Sequence, residues 1–445
     1  MKFFKHWKNG FTMVETLVAI AVLGIFFASI ASILHMILQN VGESRVRIVA
    51  LALAQSKMET IRNLPYANVG TVGGIPSGPI DPSETVTINN LPFTITTSII
   101  YIDDPFDNLA PTDSVNTDYK RVRIEITWNG VYPSRIPVSL VTNFVPKGIE
   151  TISGGGTLFL SVFDSQGQSV PNATVKIDNV NVTPNIHLQT LSDAFGLVVL
   201  PGAPACLACY EISITKQNFS TDKTYTTAQV ANPLHPLLSV FAGQITQDSF
   251  AIDSVSGLSI TSYGGQELGY PLIANVRFTL QGSKIIGNDT NDEPVHKYSY
   301  TTNTGGGYVS IPGLEWDIYT LDFSDSYHNL AGSNPLNPIA IAPGSNLSMS
   351  IVAVPKTNTS LLVAVKNSSG ELQASASANL VSTPSADLTK YTSASGSADF
   401  GQVFFGGLLP GFYDLKINIS GYQEATASLN ISGIRQETVT LNPIQ

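Results

Sequence analysis

A single carboxylate stands near the start of the apolar segment KNGFTMVETLVAIAVLGI, residues 8–25. This carboxylate belongs to Glu15, and an ionised carboxylate at the edge of a hydrocarbon layer costs about 3 kcal/mol or more unless it has a partner. The helix dipole also favours a negative charge near the N terminus of a helix. The chemistry indicated by this segment is therefore charge pairing.

The residues that follow Glu15 are apolar over a length that crosses a bilayer. Residues 16–34 carry no charge, and at about 1.5 Å per residue they cover about 28 Å of a hydrocarbon core about 30 Å thick. Lys2, Lys5 and Lys8 precede the run, and the positive-inside rule keeps such residues in the cytoplasm. We predict a single-pass protein of the cytoplasmic membrane whose C-terminal domains lie outside, in the periplasm or the extracellular space.

A secretory signal peptide has the same basic start, but it ends in a small-residue cleavage site after a shorter apolar run. Here the small residue, Gly10, precedes the run. The basic leader, Gly10, Phe11, Glu15 and the long apolar helix resemble the prepilin signature of type IV pilins and type II secretion pseudopilins. This resemblance implies that a prepilin peptidase removes leader residues 1–10, that the new amino group of Phe11 is methylated, and that Glu15 pairs with the amino terminus of a neighbouring subunit. The alternative is a plain anchor whose Glu15 lies among lipid headgroups.

Residues 11–64 are predicted as one helix, transmembrane first and then an amphipathic stalk. Six apolar residues of the stalk recur three or four apart, as on one helix face. Pro65 should end the helix, because the residue before a proline avoids helical geometry. The six residues are Val46, Ala50, Leu53, Ala54, Met58 and Ile61.

Residues 65–147 alternate apolar and polar residues in four segments, TVTINN, FTITTSIIYIDD, YKRVRIEITW and RIPVSLVTNF. This period of two predicts the strands of one antiparallel sheet, and the segments are similar to the sheet head of minor pilins. An acidic loop interrupts them, and its oxygen ligands suit calcium, although a solvated turn accounts for the same residues. The weak calcium candidates are Asp103, Asp104 and Asp107.

Three segments behind the head repeat the same order of strands and turns, at about one hundred residues per copy, which indicates tandem domains. Each has a polar turn with a glycine, Gly196, Gly307 or Gly401, that tolerates positive φ. The copies resemble the carboxypeptidase regulatory-like, or prealbumin-like, β-sandwich. This predicts sandwiches over residues 154–251, 256–355 (the divergent copy) and 357–445. The predicted fold class is α+β multidomain: a long N-terminal helix, a small antiparallel sheet head and three tandem Ig-like sandwiches.

The chain has two cysteines, Cys206 and Cys209, three apart in a predicted turn between strands. In an exported protein a local disulfide is favoured over a redox site, because a reactive thiol needs a helix N terminus or a cation nearby. Five aromatic residues concentrate in the middle copy, where they would form either a surface that binds a ligand or part of the hydrophobic core. They are Tyr298, Tyr300, Tyr308, Trp316 and Tyr319.

The sequence shows no catalytic or metal-binding motif. The six histidines are isolated, and no zinc, P-loop or serine-hydrolase pattern occurs, so we expect no enzymatic activity, no cofactor and no catalytic residue. Charged residues make up 13% of the chain and the formal net charge is −10, which argues against a nucleic-acid partner.

These observations predict a bacterial minor pilin of a type IV pilus-like filament, with outward sandwiches for adhesion or surface interaction. Its expected partners are the prepilin peptidase, other pilin subunits contacted through the N-terminal helix, the inner membrane, and a surface carbohydrate or protein ligand. One alternative is a pseudopilin of a type II secretion or DNA-uptake system that engages exported cargo. The other is a helix-tethered exported enzyme.

Overall fold

The computed structural model describes residues 13–104, 117–130, 133, 136–146, 155–324, 327–382 and 386–444. Helix α1, Met13–Arg62, comes first, and β-strands in several sheets follow it. A single turn of 3-10 helix, Tyr66–Asn68, begins directly after Pro65. The predicted fold class is confirmed.

The head domain is one antiparallel sheet packed on the second half of α1. Its strands lie in the order β1-β2-β3-β4, and β1 and β2 are joined by a two-residue turn with positive φ at Asn89 and Asn90, as type I′ hairpins require. Ala50, Ala54 and Met58 of the predicted helical stripe are buried against this sheet. The strands are β1 Ser83–Ile88, β2 Leu91–Ile102, β3 Tyr119–Trp128 and β4 Val138–Phe144.

Sandwich 1 consists of a sheet β13-β5-β8 facing a sheet β10-β9-β6-β7, with β12 paired to β9. Its short strand β11 belongs to a separate sheet, shared with the next domain. The strands are β5 Gly155–Phe163, β6 Thr174–Asn179, β7 Ile186–Leu191, β8 Leu197–Pro204, β9 Cys206–Thr215, β10 Asp222–Lys223, β11 Asn232–Pro233, β12 Leu238–Val240 and β13 Ile245–Ala251.

Sandwich 2 consists of a sheet β19-β14-β23-β21 facing a sheet β18-β15-β20-β22. A 3-10 turn, Gln266–Leu268, lies in the loop after β14. The strands are β14 Ser256–Tyr263, β15 Arg277–Gly282, β16 Ile285–Asn288, β17 Pro294–His296, β18 Ser299–Asn303, β19 Tyr308–Leu314, β20 Asp317–Asp322, β21 His328–Asn334, β22 Ile339–Ile341 and β23 Asn346–Pro355.

Sandwich 3 consists of a sheet β27-β24-β30 facing a sheet β26-β25-β28-β29. The strands are β24 Ser360–Asn367, β25 Ser377–Ser382, β26 Ala386–Tyr391, β27 Gln402–Gly406, β28 Gly411–Asn418, β29 Ala425–Ile431 and β30 Ile434–Leu441.

The three sandwiches share one topology. In each, the first strand pairs in parallel with the last, as β5 with β13, β14 with β23 and β24 with β30. The other edge of the first strand pairs antiparallel with the strand that follows the predicted glycine turn: β8, β19 or β27. The glycine immediately before that strand has positive φ in all three, +74° at Gly196, +109° at Gly307 and +66° at Gly401, so the predicted turn chemistry is confirmed.

A buried tyrosine occupies a corresponding place in each sandwich, in the strand that follows the second turn. Its hydroxyl donates to a main-chain carbonyl a few residues upstream: Tyr210 to Pro204 (2.7 Å), Tyr319 to Glu315 (2.9 Å) and Tyr413 to Leu409 (2.7 Å). Burial raises the pKa of Tyr210 to about 12, so this phenol stays protonated and acts as a donor. The tyrosine thus ties a turn to the core, as hydroxyls of buried tyrosines commonly do.

Sandwiches 1 and 2 are joined by main-chain pairing and by charge. Strand β11 of sandwich 1 pairs antiparallel with β16 of sandwich 2. Beside this pairing, Lys297 Nζ lies 2.7 Å from Glu315 Oε2 and 3.9 Å from Asp222 Oδ1, and Asp222 belongs to sandwich 1. The side chains of these three residues are about 80% buried or more, where an ion pair is little weakened by solvent.

Sandwiches 2 and 3 are joined by a buried amide. Gln402 is fully buried, its Nε2 donates to the carbonyl of Ser333 (2.6 Å), and its Oε1 accepts from the Ser333 N–H (3.1 Å). Tyr270 also donates its hydroxyl to Asp399 Oδ1 across the junction (2.7 Å). Because unpaired buried polar groups are costly, these contacts specify one orientation of the two sandwiches.

Candidate filament interface and exterior surfaces

The first half of α1 is an exposed apolar surface. The segment Ile20–Arg62 is long and apolar enough to cross a membrane, and no part of its most apolar window is buried. Large side chains such as Leu23, Phe26 and Phe27 are more than half exposed. A continuous apolar surface of this kind is stable only when lipid or another protein covers it.

Four of the polar side chains that the structure describes in this part of α1 are paired within the helix. Ser29 and Ser32 donate their hydroxyls to the carbonyls of Ile25 (2.8 Å) and Ala28 (2.9 Å), one turn earlier. Gln39 and His35 contact each other at 2.8 Å between Nε2 atoms. Internal pairing of this kind is what a helix needs in an environment that offers no water as a partner.

The predicted processing and assembly residues are only partly covered by the structure. Gly10 and Phe11 lie outside the described residues. The backbone of Glu15 belongs to the first turn of α1, whereas its side chain is not among those described. The pairing of Glu15 with an amino terminus therefore stays a prediction from the sequence.

Two of the three calcium candidates, Asp103 and Asp104, are described, and Asp107 lies outside the described residues. The neighbouring Asp118 uses its carboxylate to accept the main-chain N–H of Asp104 at 2.5 Å, so this carboxylate ties the end of β2 to the start of β3. Within the described ranges, no group of three or more His, Cys, Asp or Glu side chains is placed to hold a metal ion. Calcium binding stays a prediction.

Cys206 and Cys209 are joined as a disulfide. Both lie at the start of β9 itself, not in a turn before it. Between them Ala208 adopts a positive φ of 48°, and its N–H donates to Ser239 Oγ at 2.8 Å. The disulfide thus closes an irregular strand start against β12.

The aromatic residues of sandwich 2 do not form one platform. Tyr319 is 1% exposed and belongs to the core, where Tyr298 packs edge-on against it. Tyr300 on β18 and Tyr308 on β19 are about half exposed but lie on different sheets. Trp316 lies beneath Lys284, whose Nζ is 3.4 Å from the ring centroid. Packing and cation–π contact account for these residues.

A groove of about 930 Å³ lies between sandwiches 2 and 3. Residues of the loop 264–273 line it, and this loop contacts sandwich 3 through the Glu267–Lys390 ion pair (2.8 Å). The walls are apolar, with Leu272, Val354 and Phe404 among the lining residues. Desolvation lowers the pKa of His328, which also lines the groove. The sequence had given no indication of this groove, because it lies between repeats.

His235 is a pH-sensitive contact of sandwich 1. Its Nε2 lies 2.6 Å from Asp248 Oδ2, and its ring stacks on Phe250 at 4.7 Å between centroids. The hydrogen bond to Asp248 and the charges of Asp248 and Asp222 raise the pKa of His235, outweighing the opposing effect of burial. The protonated ring is therefore favoured in the folded state.

We predict that this contact makes sandwich 1 less stable at higher pH. A raised folded-state pKa contributes stability that is complete below the unfolded-state value of about 6.5 and is lost as pH rises through the folded-state value. His235→Gln should remove that slope in denaturant titrations of the full chain between about pH 6 and 9. His187→Gln, which changes a histidine 57% exposed in a surface ion pair, is the matched control and should leave the slope in place. An unchanged slope in His235→Gln would refute the assignment.

Comparison with known families locates one match in sequence. Residues 8–31 match the family model described as the prokaryotic N-terminal methylation motif. The match includes Gly10, Phe11, Glu15 and most of the uncharged run, so the predicted prepilin-type signature is confirmed. No curated protein sequence matches this chain.

Several solved structures are distantly similar to the chain. The Bacillus anthracis TIE protein is 12% identical, with 82% of this chain and 74% of that chain covered and a TM-score of 0.19. GBS52, the minor pilin of Streptococcus agalactiae, is 14% identical over 43% of this chain and 97% of its own, with a TM-score of 0.17. BcpA, the major pilin subunit of Bacillus cereus, is 9% identical, with 65% of this chain and 99% of that chain covered and a TM-score of 0.16. Similarity at this level carries no argument about function.

Proposed function

We propose that this chain is a minor subunit of a type IV pilus-like filament and that its three sandwiches serve adhesion or surface interaction. The observation that carries the proposal is the methylation motif at residues 8–31, on a helix whose apolar half is exposed. A helix of this kind is held by lipid before assembly and by neighbouring helices afterwards. The same surface can serve both states because both environments are apolar.

The exterior supports a role as a minor subunit at the filament tip. Three sandwiches follow a head domain that already packs on the stalk. Subunits repeat closely along a helical filament, so identical large exteriors would crowd one another. The junctions described above hold successive sandwiches together, which suits the presentation of a surface away from the filament.

We propose that the exterior works by binding, not by catalysis. Histidines that the structure describes make local contacts, such as His235 with Asp248 and His296 with the carbonyl of Gly282. The groove between sandwiches 2 and 3 offers a concave, apolar surface to a partner, and pockets of this size and character are where ligands commonly bind.

Processing is the first test of the proposal. Mass spectrometry of the mature protein should give an N terminus at Phe11 with one added methyl group. Gly10→Val should abolish cleavage, because a bulky side chain would replace the small residue beside the cut. Gly24→Ala is the control, since a methyl group there meets no other atom, and it should be processed normally. Processing at another residue, or normal processing of Gly10→Val, would overturn the proposal.

The task of the filament is tested by deletion of the gene. Loss of attachment to surfaces, with secretion and DNA uptake intact, is the expected result. Loss of protein secretion or of transformation, with attachment intact, would contradict adhesion and assign the chain to a pseudopilin-containing machine.

A further inference from the structure

A loop of the head domain enters the core of sandwich 1. We call residues 70–80 the docking loop. Ile75 in this loop is 1% exposed and belongs to the hydrophobic core of sandwich 1, together with residues such as Leu158, Ile186 and Leu200. The rest of the head has its own core around α1. Ile75 is therefore a side chain of one domain that completes the core of the next.

Main-chain contacts fix the docking loop against sandwich 1. The N–H of His187, at the start of β7, donates to the carbonyl of Gly73 at 2.6 Å. Gly73 has a φ of +72°, and a Cβ there would lie 3.1 Å from the carbonyl oxygen of Asn185. Close approach of this kind requires glycine. Tyr101, from the end of β2, packs on the same core from the side.

The docking loop is held in shape by its own hydrogen bonds. Thr71 N–H donates to the Pro76 carbonyl (3.1 Å), Gly78 N–H to the Thr71 carbonyl (3.1 Å) and Val72 N–H to the Ile80 carbonyl (2.8 Å). Ile80 at its end is buried in the core of the head. The loop thus joins the two cores through a short, internally bonded segment, and such preorganisation lowers the entropic cost of contact.

We propose that the docking loop fixes sandwich 1 on the head, so that the two form one mechanical unit whose contact does not depend on the linker between them, residues 147–154. A mechanical force applied to the sandwiches would be transmitted to the head through the packed side chain of Ile75. The proposal concerns the subunit itself and holds whether or not the chain enters a filament.

The test cuts the linker and asks whether the halves stay together. A sequence-specific protease site is inserted between residues 147 and 154 of the full chain in detergent, with an affinity tag on the N-terminal half. After cleavage, the C-terminal fragment should remain bound to the tagged fragment. Ile75→Asp should release it, because a carboxylate cannot enter an apolar core without a partner. Val72→Asp, in the same loop but 48% exposed, should retain it.

Two further measurements distinguish loss of docking from misfolding of sandwich 1. Near-ultraviolet circular dichroism of the uncut Ile75→Asp chain reports whether sandwich 1 is still packed. If it is not, Ile75→Ala takes its place and should weaken fragment association by about tenfold or more, as removal of a buried isoleucine side chain does. Separation of the fragments with Ile75 intact would overturn the proposal. Retention by both Ile75 variants would overturn it as well.

Discussion

Replacing Glu15 with alanine is expected to reduce incorporation of the subunit into sheared filaments by about tenfold or more while its amount in the membrane stays the same. A tenfold change corresponds to about 1.4 kcal/mol, less than the cost of an unpaired carboxylate in hydrocarbon. Alanine keeps the helix and the anchor, so only the charge pairing with a neighbouring amino terminus is lost. Immunoblots of sheared filaments and of membranes from the same cells measure both quantities.

Glu59→Ala is the matched control for this experiment. Glu59 lies in the same helix, and its side chain is 62% exposed in an ion pair with Arg62, a contact worth about 0.3 to 0.5 kcal/mol. Its removal should leave incorporation unchanged. Normal incorporation of Glu15→Ala would refute the assembly role of the carboxylate and favour the plain anchor among headgroups.

The strand pattern and the turn chemistry could be read from the sequence because they are local. Alternation in YEISITK, for example, places Ile212 and Ile214 in the core and leaves Thr215, on the other face of the strand, exposed. The turn glycines were predictable for the same reason, since a positive φ is set by neighbouring residues. Local rules of this kind recur in each copy, so the repeat itself could be found.

The junctions between domains could not be read in this way. Ile75 stands in GTVGGIPSGPI, a stretch whose glycines and prolines predict a turn and whose two isoleucines, Ile75 and Ile80, follow no strand or helix period. Gln402 is a polar residue at the start of a strand, and nothing local shows that it is fully buried. In each case the partner is remote in sequence, and burial is decided by how whole domains pack.

One junction did leave a signal in the sequence. Strand β24 reads SLLVAVKN, and its first six residues are all buried. A strand with one solvent-exposed face alternates apolar and polar residues, whereas a continuous apolar run indicates that both faces of the strand are packed against protein. Leu361, Val363 and Val365 face the core of sandwich 3, and Leu362 packs in the core of sandwich 2. The failure of alternation in β24 therefore marks the contact between the two sandwiches.

Leu362→Asp is accordingly expected to break that contact. Leu362 is 6% exposed, so the substitution loses about 1.5 to 3 kcal/mol of apolar burial and also places an unpaired carboxylate between two domains. We expect the free energy of unfolding of this part of the chain to fall by about 3 kcal/mol or more. Urea titration of the full chain, followed by tryptophan fluorescence, measures the change, with Trp316 reporting on sandwich 2 and Trp128 on the head.

The control must place the same charge on the same sheet without burying it. Ile434 on β30 pairs with Ser360 of β24 and is 53% exposed, so Ile434→Asp should change stability by about 0.5 kcal/mol or less. Limited proteolysis between residues 355 and 360 gives an independent measure, because cleavage there should become faster only when sandwiches 2 and 3 separate. Equal stability of the two variants would show that the face of β24 toward sandwich 2 contributes nothing to the junction.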